Sequence, residues 1–254
     1  MALPPQDVIS KRITRDVPQS WGQDALSTYL ETAERNVVAT FANCSDVCAR
    51  LSEIDACFRT LNEGLTNTPN WFESFFLLRA HSAFLTSIRL VTAGAVTESY
   101  ATCRQAIEFA LYGYYLFTQP ELREIWLNRT NSDESRKLVK KHFRVSDLLN
   151  RAVADIPQHG DVARKLYERA IDFGAHPNEL SVTTTIQSIK DGDNRVLRTI
   201  YLHDHDLPKQ HALQTVTGTG LCVLGVFQQV HSELFVRLGL NDKLGQLIQG
   251  MQTR

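Results

Sequence analysis

Two long apolar segments, Trp71 to Thr92 and Ala95 to Thr118, abut at Ala93-Gly94, and that junction constrains the fold more than any other stretch. The first carries Phe72, Phe75, Phe76, Leu78, Phe84, Leu85, Ile88 and Leu90 around most of a helical circumference. A helix apolar on nearly all sides has to be covered by neighbours. The second carries Tyr100, Cys103, Ile107, Ala110, Leu111, Tyr114, Tyr115 and Phe117. A glycine break this tight allows no crossover, so the two predict an antiparallel helical hairpin at the centre of the molecule.

The flanking sequence supplies elements to cover it. Three prolines among residues 1–20 (Pro4, Pro5, Pro18) predict an irregular N-terminal arm. Residues 21–254 then read as a single α-helical domain. A helix is expected from Gly22–Asp24 to Thr40, with Leu26, Tyr29, Leu30, Ala33 and Val37 on one face. Ser45-Asp46 opens another to Leu65, with the stripe Val47, Leu51, Ile54, Phe58, Leu61 and Leu65. Shorter helices are predicted over Glu121–Asn128, Ser132–Phe143, Val145–Asp155 and Pro157–Phe173. Leu180–Ile189 and Arg195–Leu202 alternate with period two around Lys190-Asp-Gly-Asp-Asn194 and predict a β-hairpin at about 180–202. A last long helix from Pro208 to Gly239 contains Gly218, Gly220 and Gly225, which point to close packing or a kink, and a tail helix spans Asp242–Met251. The fold class expected is mainly α: a helical bundle on a long antiparallel hairpin, with one inserted β-hairpin.

Charge narrows the function little. The chain of 254 residues has 27 Lys plus Arg against 28 Asp plus Glu, so overall charge marks neither a nucleic acid nor a membrane partner. The longest apolar run, Gly218 to Phe227, is too short to cross a bilayer. Five cysteines in no regular framework, Cys44, Cys48, Cys57, Cys103 and Cys222, predict reduced thiols and a cytoplasmic protein. There is no P-loop, dinucleotide glycine fingerprint, Gly-x-Ser-x-Gly or His-Glu-x-x-His, and no cofactor is expected.

Three groups of residues carry candidate chemistry. Arg104 and Glu108, spaced i,i+4 on a core-facing side of the second apolar helix, read either as an ion pair fixing helix register or, with Arg89, as a polar pocket. Tyr167, Arg169, Asp172, His176 and Asn178 form the second group, across a helix end marked by Gly174 and Pro177. Arg169 and His176 are seven apart and would fall on one line of a continuous helix. A histidine can move a proton near neutral pH, and an arginine can hold the charge of a phosphoryl transition state. The same pair could instead cap the helix end. The third group, His203, His205 and His211 with interleaved carboxylates, reads as a metal site or as a polar loop leading into a capped helix.

Arg89-Leu-x-x-x-Gly94, Glu98-Ser-Tyr100, Arg104-x-x-x-Glu108, the helix with Tyr167 and the late His176-Pro177 together resemble the HEPN superfamily, specifically bacterial helical proteins related to abortive-infection and toxin proteins. The resemblance covers residues 71–178, with the last long helix completing a bundle. Nucleases of that superfamily carry Arg-x4-6-His, and Arg169-x6-His176 fits its longest spacing. The resemblance implies a metal-independent endoribonuclease working at a homodimer interface, possible in defence, with Arg169 and His176 catalytic and Arg104, Glu108 and Tyr167 in support. Non-catalytic members imply the alternative, a helical dimer that binds a partner protein or small ligand around Arg89, Arg104 and Glu108.

Overall fold

The computed structural model describes residues 18–192 and 194–252. The arm expected over residues 1–20 therefore lies outside the described residues up to 17. The chain forms α1 (Ala25–Asn43), α2 (Ser45–Glu63), α3 (Trp71–Ala93), α4 (Val96–Thr118), α5 (Arg123–Leu127), α6 (Asp133–His142), α7 (Val145–Asp155), α8 (Pro157–Ala170) and α9 (Glu179–Thr183). There follow β1 (Ile186–Asp191), β2 (Asn194–Thr199), α10 (Leu207–Val230), α11 (Ser232–Arg237) and α12 (Leu240–Gln252). The fold is mainly α with one inserted two-stranded antiparallel hairpin, in register Ile186 to Thr199 through Asp191 to Asn194. Among the described residues, no helix is long and apolar enough to cross a membrane.

The α3–α4 hairpin forms where the sequence puts it. Gly94 takes φ +96°, a left-handed conformation that closes α3, and its amide bonds back to the carbonyls of Leu90 and Val91. α10 packs across both arms of the hairpin, and α2 packs against α10 and α3. The core is the overlap of these four helices: Leu51, Ile54 and Phe58 from α2, Leu77 and Phe84 from α3, Cys103 and Ala106 from α4, and Val216, Val223 and Phe227 from α10. Two of the three α10 glycines, Gly220 and Gly225, serve close packing. A Cβ at Gly220 would lie 2.6 Å from the Phe84 ring, and one at Gly225 would lie 2.5 Å from the His159 ring. α7 and α8 form a second, smaller cluster on α4, with Leu148, Leu149, Ala163, Leu166 and Tyr167 packed on Ile107 and Leu111.

Four sequence expectations are corrected. The stripe on α1 is covered only in part: Leu26, Tyr29 and Leu30 are exposed, Ala33 and Val37 are half-buried, and Ser27 and Thr40 are the buried positions. The inner contact is polar because α1 crosses the C-terminal end of α3, whose last carbonyls need donors. Thr40 Oγ1 donates to the Thr92 carbonyl at 2.8 Å, and Asn36 Nδ2 donates to the Ala93 carbonyl at 3.0 Å. α3 is not covered all round; Trp71, Phe75 and Leu78 remain exposed on its outer edge. The strand predicted from Leu180 begins only at Ile186, because Asn178 and Ser181 form a reciprocal capping box that starts α9. The last long helix is also not continuous. It breaks at His231, where Asn70 Nδ2 takes the Val230 carbonyl at 2.6 Å.

His231 is buried, stacks on Phe227, and its Nε2 has no partner among the described residues. Burial depresses its pKa from 6.5 to about 4. A histidine that titrates lower in the folded state leaves the unfolded chain holding more protons, so stability is intact above pH 6.5 and falls as pH drops toward 4. A shift of this size corresponds to about 2–3 kcal/mol lost between pH 7 and pH 4.5. In urea unfolding at the two pH values, His231→Phe is expected to remove that part of the loss; an unchanged loss would show that the imidazole is not the group responsible.

Candidate functional site

α8 does not end in an ordinary cap. After Ala170 the chain widens into a π-turn over Ile171–Ala175 and leaves it at Gly174, so His176 adopts an extended conformation. The continuous helix that would align Arg169 with His176 is thereby interrupted. The two side chains share no hydrogen bond or ring contact among the described residues, and they are held by different surroundings.

The segment around His176 is tied down from several sides. At Gly174 the backbone is laid on α4 so closely that a Cβ would fall 2.1 Å from the Thr97 carbonyl oxygen. Arg104 Nη1 donates to the Ala175 carbonyl at 3.4 Å. Ser181 Oγ donates to the His176 carbonyl at 3.0 Å, and Asn178 Nδ2 returns to the Ile171 carbonyl at 2.9 Å. The His176 ring itself stays exposed, with Nδ1 3.2 Å from the Pro177 carbonyl. A carbonyl only accepts, so the Nδ1 proton is engaged there and Nε2 of the neutral ring is left as the free base.

Arg104 is itself oriented by neighbours. Its Nε donates to Glu108 Oε1 at 2.8 Å, Tyr167 donates to the same oxygen at 3.0 Å, and the guanidinium lies 5.2 Å from the Tyr167 ring centre. Burial works against the Arg104 charge, but the bond and the charge of Glu108 outweigh it and raise its pKa. Burial raises the Tyr167 pKa, and the Glu108 carboxylate adds to this. The arrangement explains why an Arg–Glu pair sits on this face of α4: it connects α4, α8 and the segment carrying His176. Arg89 is not part of it. It is exposed on α3 and lines a surface groove with Asn62 and His81. Asp172 is exposed and makes no ion pair among the described residues, while Asn178 serves as the α9 cap.

Arg169 faces α10, half-buried, with Nη1 3.5 Å from Thr215 Oγ1 and no carboxylate partner among the described residues. Close to it, Tyr100 OH pairs with His211 Nδ1 at 2.9 Å, and Phe173 packs on both rings. Burial, helped by the Arg169 charge, lowers the His211 pKa and so favours the neutral imidazole; burial pushes the Tyr100 hydroxyl up to about 12. These rings line an apolar cleft of about 260 Å³ with Val96, Leu207 and Pro208. The three histidines read as a possible metal set therefore go to three separate partners. His203 bonds Asp206 at 2.7 Å, His205 lies 3.4 Å from the Cys44 sulfur, and His211 bonds Tyr100. Among the described residues no group of three or more His, Cys, Asp and Glu is placed to hold a metal ion.

Sequence reasoning missed Thr97, Thr215 and Ser181. The Asn178-x-x-Ser181 capping pattern was available to it; the other two depend on helix packing and carry no local signal. No known family model, curated protein or solved structure matches the chain.

Because φ at Gly174 is extended (173°), any cost of a side chain there is purely steric. Gly174→Ala is expected to destabilise the protein by about 2 kcal/mol or more in urea unfolding, the scale of an overpacked contact against backbone. A midpoint equal to wild type would mean that the segment lifts off Thr97 freely.

Proposed function

We propose that the protein is a metal-independent endoribonuclease of the HEPN type, with His176 and Arg169 as its catalytic residues. The observation that supports this most is an exposed imidazole on a backbone held by Gly174, Arg104, Asn178 and Ser181. A surface histidine with no role beyond solvation has no need of such positioning, whereas proton transfer does. His176 Nε2 takes the proton of a ribose 2′-hydroxyl. The freed oxygen attacks the adjacent phosphorus and the 5′-oxygen leaves with a proton taken from solvent water, while His176 gives its own proton back to solvent, leaving a 2′,3′-cyclic phosphate and a 5′-hydroxyl end. Arg169, which has no carboxylate partner among the described residues, stabilises the pentacovalent oxyanion. The pair is not joined within one chain, so the site is completed in a homodimer. The exposed apolar side chains of Leu180 and Val182, next to His176 in sequence, are the surface on which a second copy would seat.

The second reading is a non-catalytic dimer that binds a small ligand or partner protein. It is supported by the apolar cleft between Tyr100, Phe173 and His211, beside the Arg169 charge.

One assay separates them. Mixed-sequence RNA incubated with the purified protein in EDTA is expected to be cleaved to cyclic-phosphate ends. His176→Ala and Arg169→Ala, each checked for folding by circular dichroism, are expected to lose roughly 10²–10⁴-fold in rate. Intact RNA with a folded wild-type protein, or cleavage that survives His176→Ala, would overturn the nuclease reading.

A further inference from the structure

Away from this site, the start of α10 buries a lysine. Lys209 occupies the first turn after the cap Asp206, and the whole residue is only 4% exposed. Lysine is rarely buried this far without a counter-ion, because an isolated ammonium loses its hydration. Here no hydrogen bond or ion pair to the Lys209 amine exists among the described residues. Neither nearby carboxylate bonds the amine. Asp206 accepts the Lys209 backbone N–H through Oδ1 and bonds His203 through Oδ2, while Asp204 is exposed on the lining of the same cleft. The positive end of the α10 dipole adds to the disfavour of a charged amine at this position.

Lys209 lines a cleft of about 250 Å³ between α1 and the loop before α10, together with Asn36, Asn43, Asp204 and His205. At its edge the Cys44 sulfur lies 3.4 Å from His205 Nδ1. With the thiol donating to Nδ1, the proton of the neutral imidazole sits on Nε2, which is then a donor at the cleft.

We propose that this cleft is a binding site for a small uncharged aldehyde or ketone, held covalently by Lys209 as a Schiff base. The Nζ lone pair attacks the carbonyl carbon, and a nitrogen proton passes to the oxygen to give a carbinolamine. The nitrogen then expels the hydroxyl, which takes a proton from His205 Nε2 and leaves as water, and the iminium so formed returns its N–H proton to His205 Nε2, giving the imine and restoring the neutral imidazole. No oxidant or reductant is needed. Burial lowers the Lys209 pKa, with Cys44 and the two aspartates partly opposing it, so more of the amine is in the reactive neutral form than on an exposed lysine. Asp204 beside the cleft disfavours anionic ligands and selects for a neutral carbonyl.

The test is residue-resolved labelling of the intact wild-type protein, so it needs no variant to fold. The protein is treated briefly with propanal and sodium cyanoborohydride, which traps the imine as a stable propyl-lysine, and mapped by peptide mass spectrometry. Lys209 is expected to be labelled several-fold faster than the exposed Lys137, Lys140, Lys141 and Lys165. Glyoxylate, the same chemistry with a carboxylate attached, is expected to label Lys209 more slowly than propanal does, and inorganic phosphate is expected to leave propanal labelling unchanged. Lys209 reacting no faster than the exposed lysines would overturn the proposal. So would protection by phosphate or faster labelling by glyoxylate, since either would make the cleft an anion site.

Discussion

Everything in this fold rests on the closeness with which α10 lies across the α3–α4 hairpin. The approach is set by residues without side chains. Gly220 of α10 admits Phe84 of α3 and Ile54 of α2, and Gly113 of α4 admits Phe227 of α10. Phe84 and Phe227 are wholly buried as a result. Removing either ring would cost about 3–5 kcal/mol, a large share of what a domain has to spare. Glycine inside a helix is unfavourable by up to about 1 kcal/mol, and at these positions the aromatic rings it admits outweigh that cost.

From this scaffold the candidate site inherits its position. α4 presents Thr97, Arg104 and Glu108 in order along its length, and the end of α8 is draped over them. The Arg104–Glu108 pair is about 30% exposed at each side chain, so its direct contribution to stability is small, about 1 kcal/mol or less. Its effect is geometric. One carboxylate oxygen receives both Arg104 and Tyr167, which turns the guanidinium toward the Ala175 carbonyl one residue before His176. The Lys209 cleft has a similar origin. The polar inner face of α1 caps the C-terminal end of α3, and the loop entering α10 closes over it through the bond from His203 N–H to the Gly94 carbonyl. Gly94 thus ends α3 and anchors the approach to α10.

Local pattern made much of the architecture legible. The α3–α4 hairpin, the α2 stripe and α6, α7 and α8 follow from period and capping, and the observed ends differ from the expected ones by a few residues. Three of the four misreadings have a common cause, in that a polar contact, local or long-range, overrode an apolar or β-branched local pattern. Thr40 and Asn36 took the inner contact of α1 in place of Leu26, Tyr29 and Leu30, Asn178 and Ser181 made helix from a Val-Thr run, and Asn70 captured the Val230 carbonyl and broke the last helix. In the candidate site the residue types were legible and the partners were not. Arg104, Glu108 and Tyr167 do come together. Arg169 meets Thr215 and neighbours His211, and Arg89 stands apart, because which helix faces which residue is decided by packing across long sequence separations.

The central claim is that the segment carrying His176 is a fixed part of the scaffold and not a loose surface loop. Amide hydrogen exchange of the native protein tests it most directly, read at Ser181, whose N–H is bonded to the Asn178 side chain at 2.9 Å, and at Val182, bonded to the Asn178 carbonyl at 3.2 Å. Protection of both amides by at least about a hundredfold over free-peptide rates is expected for a tethered segment. Exchange at the rate of an unstructured peptide would contradict it and would leave His176 without the positioning that the proposed proton transfer requires.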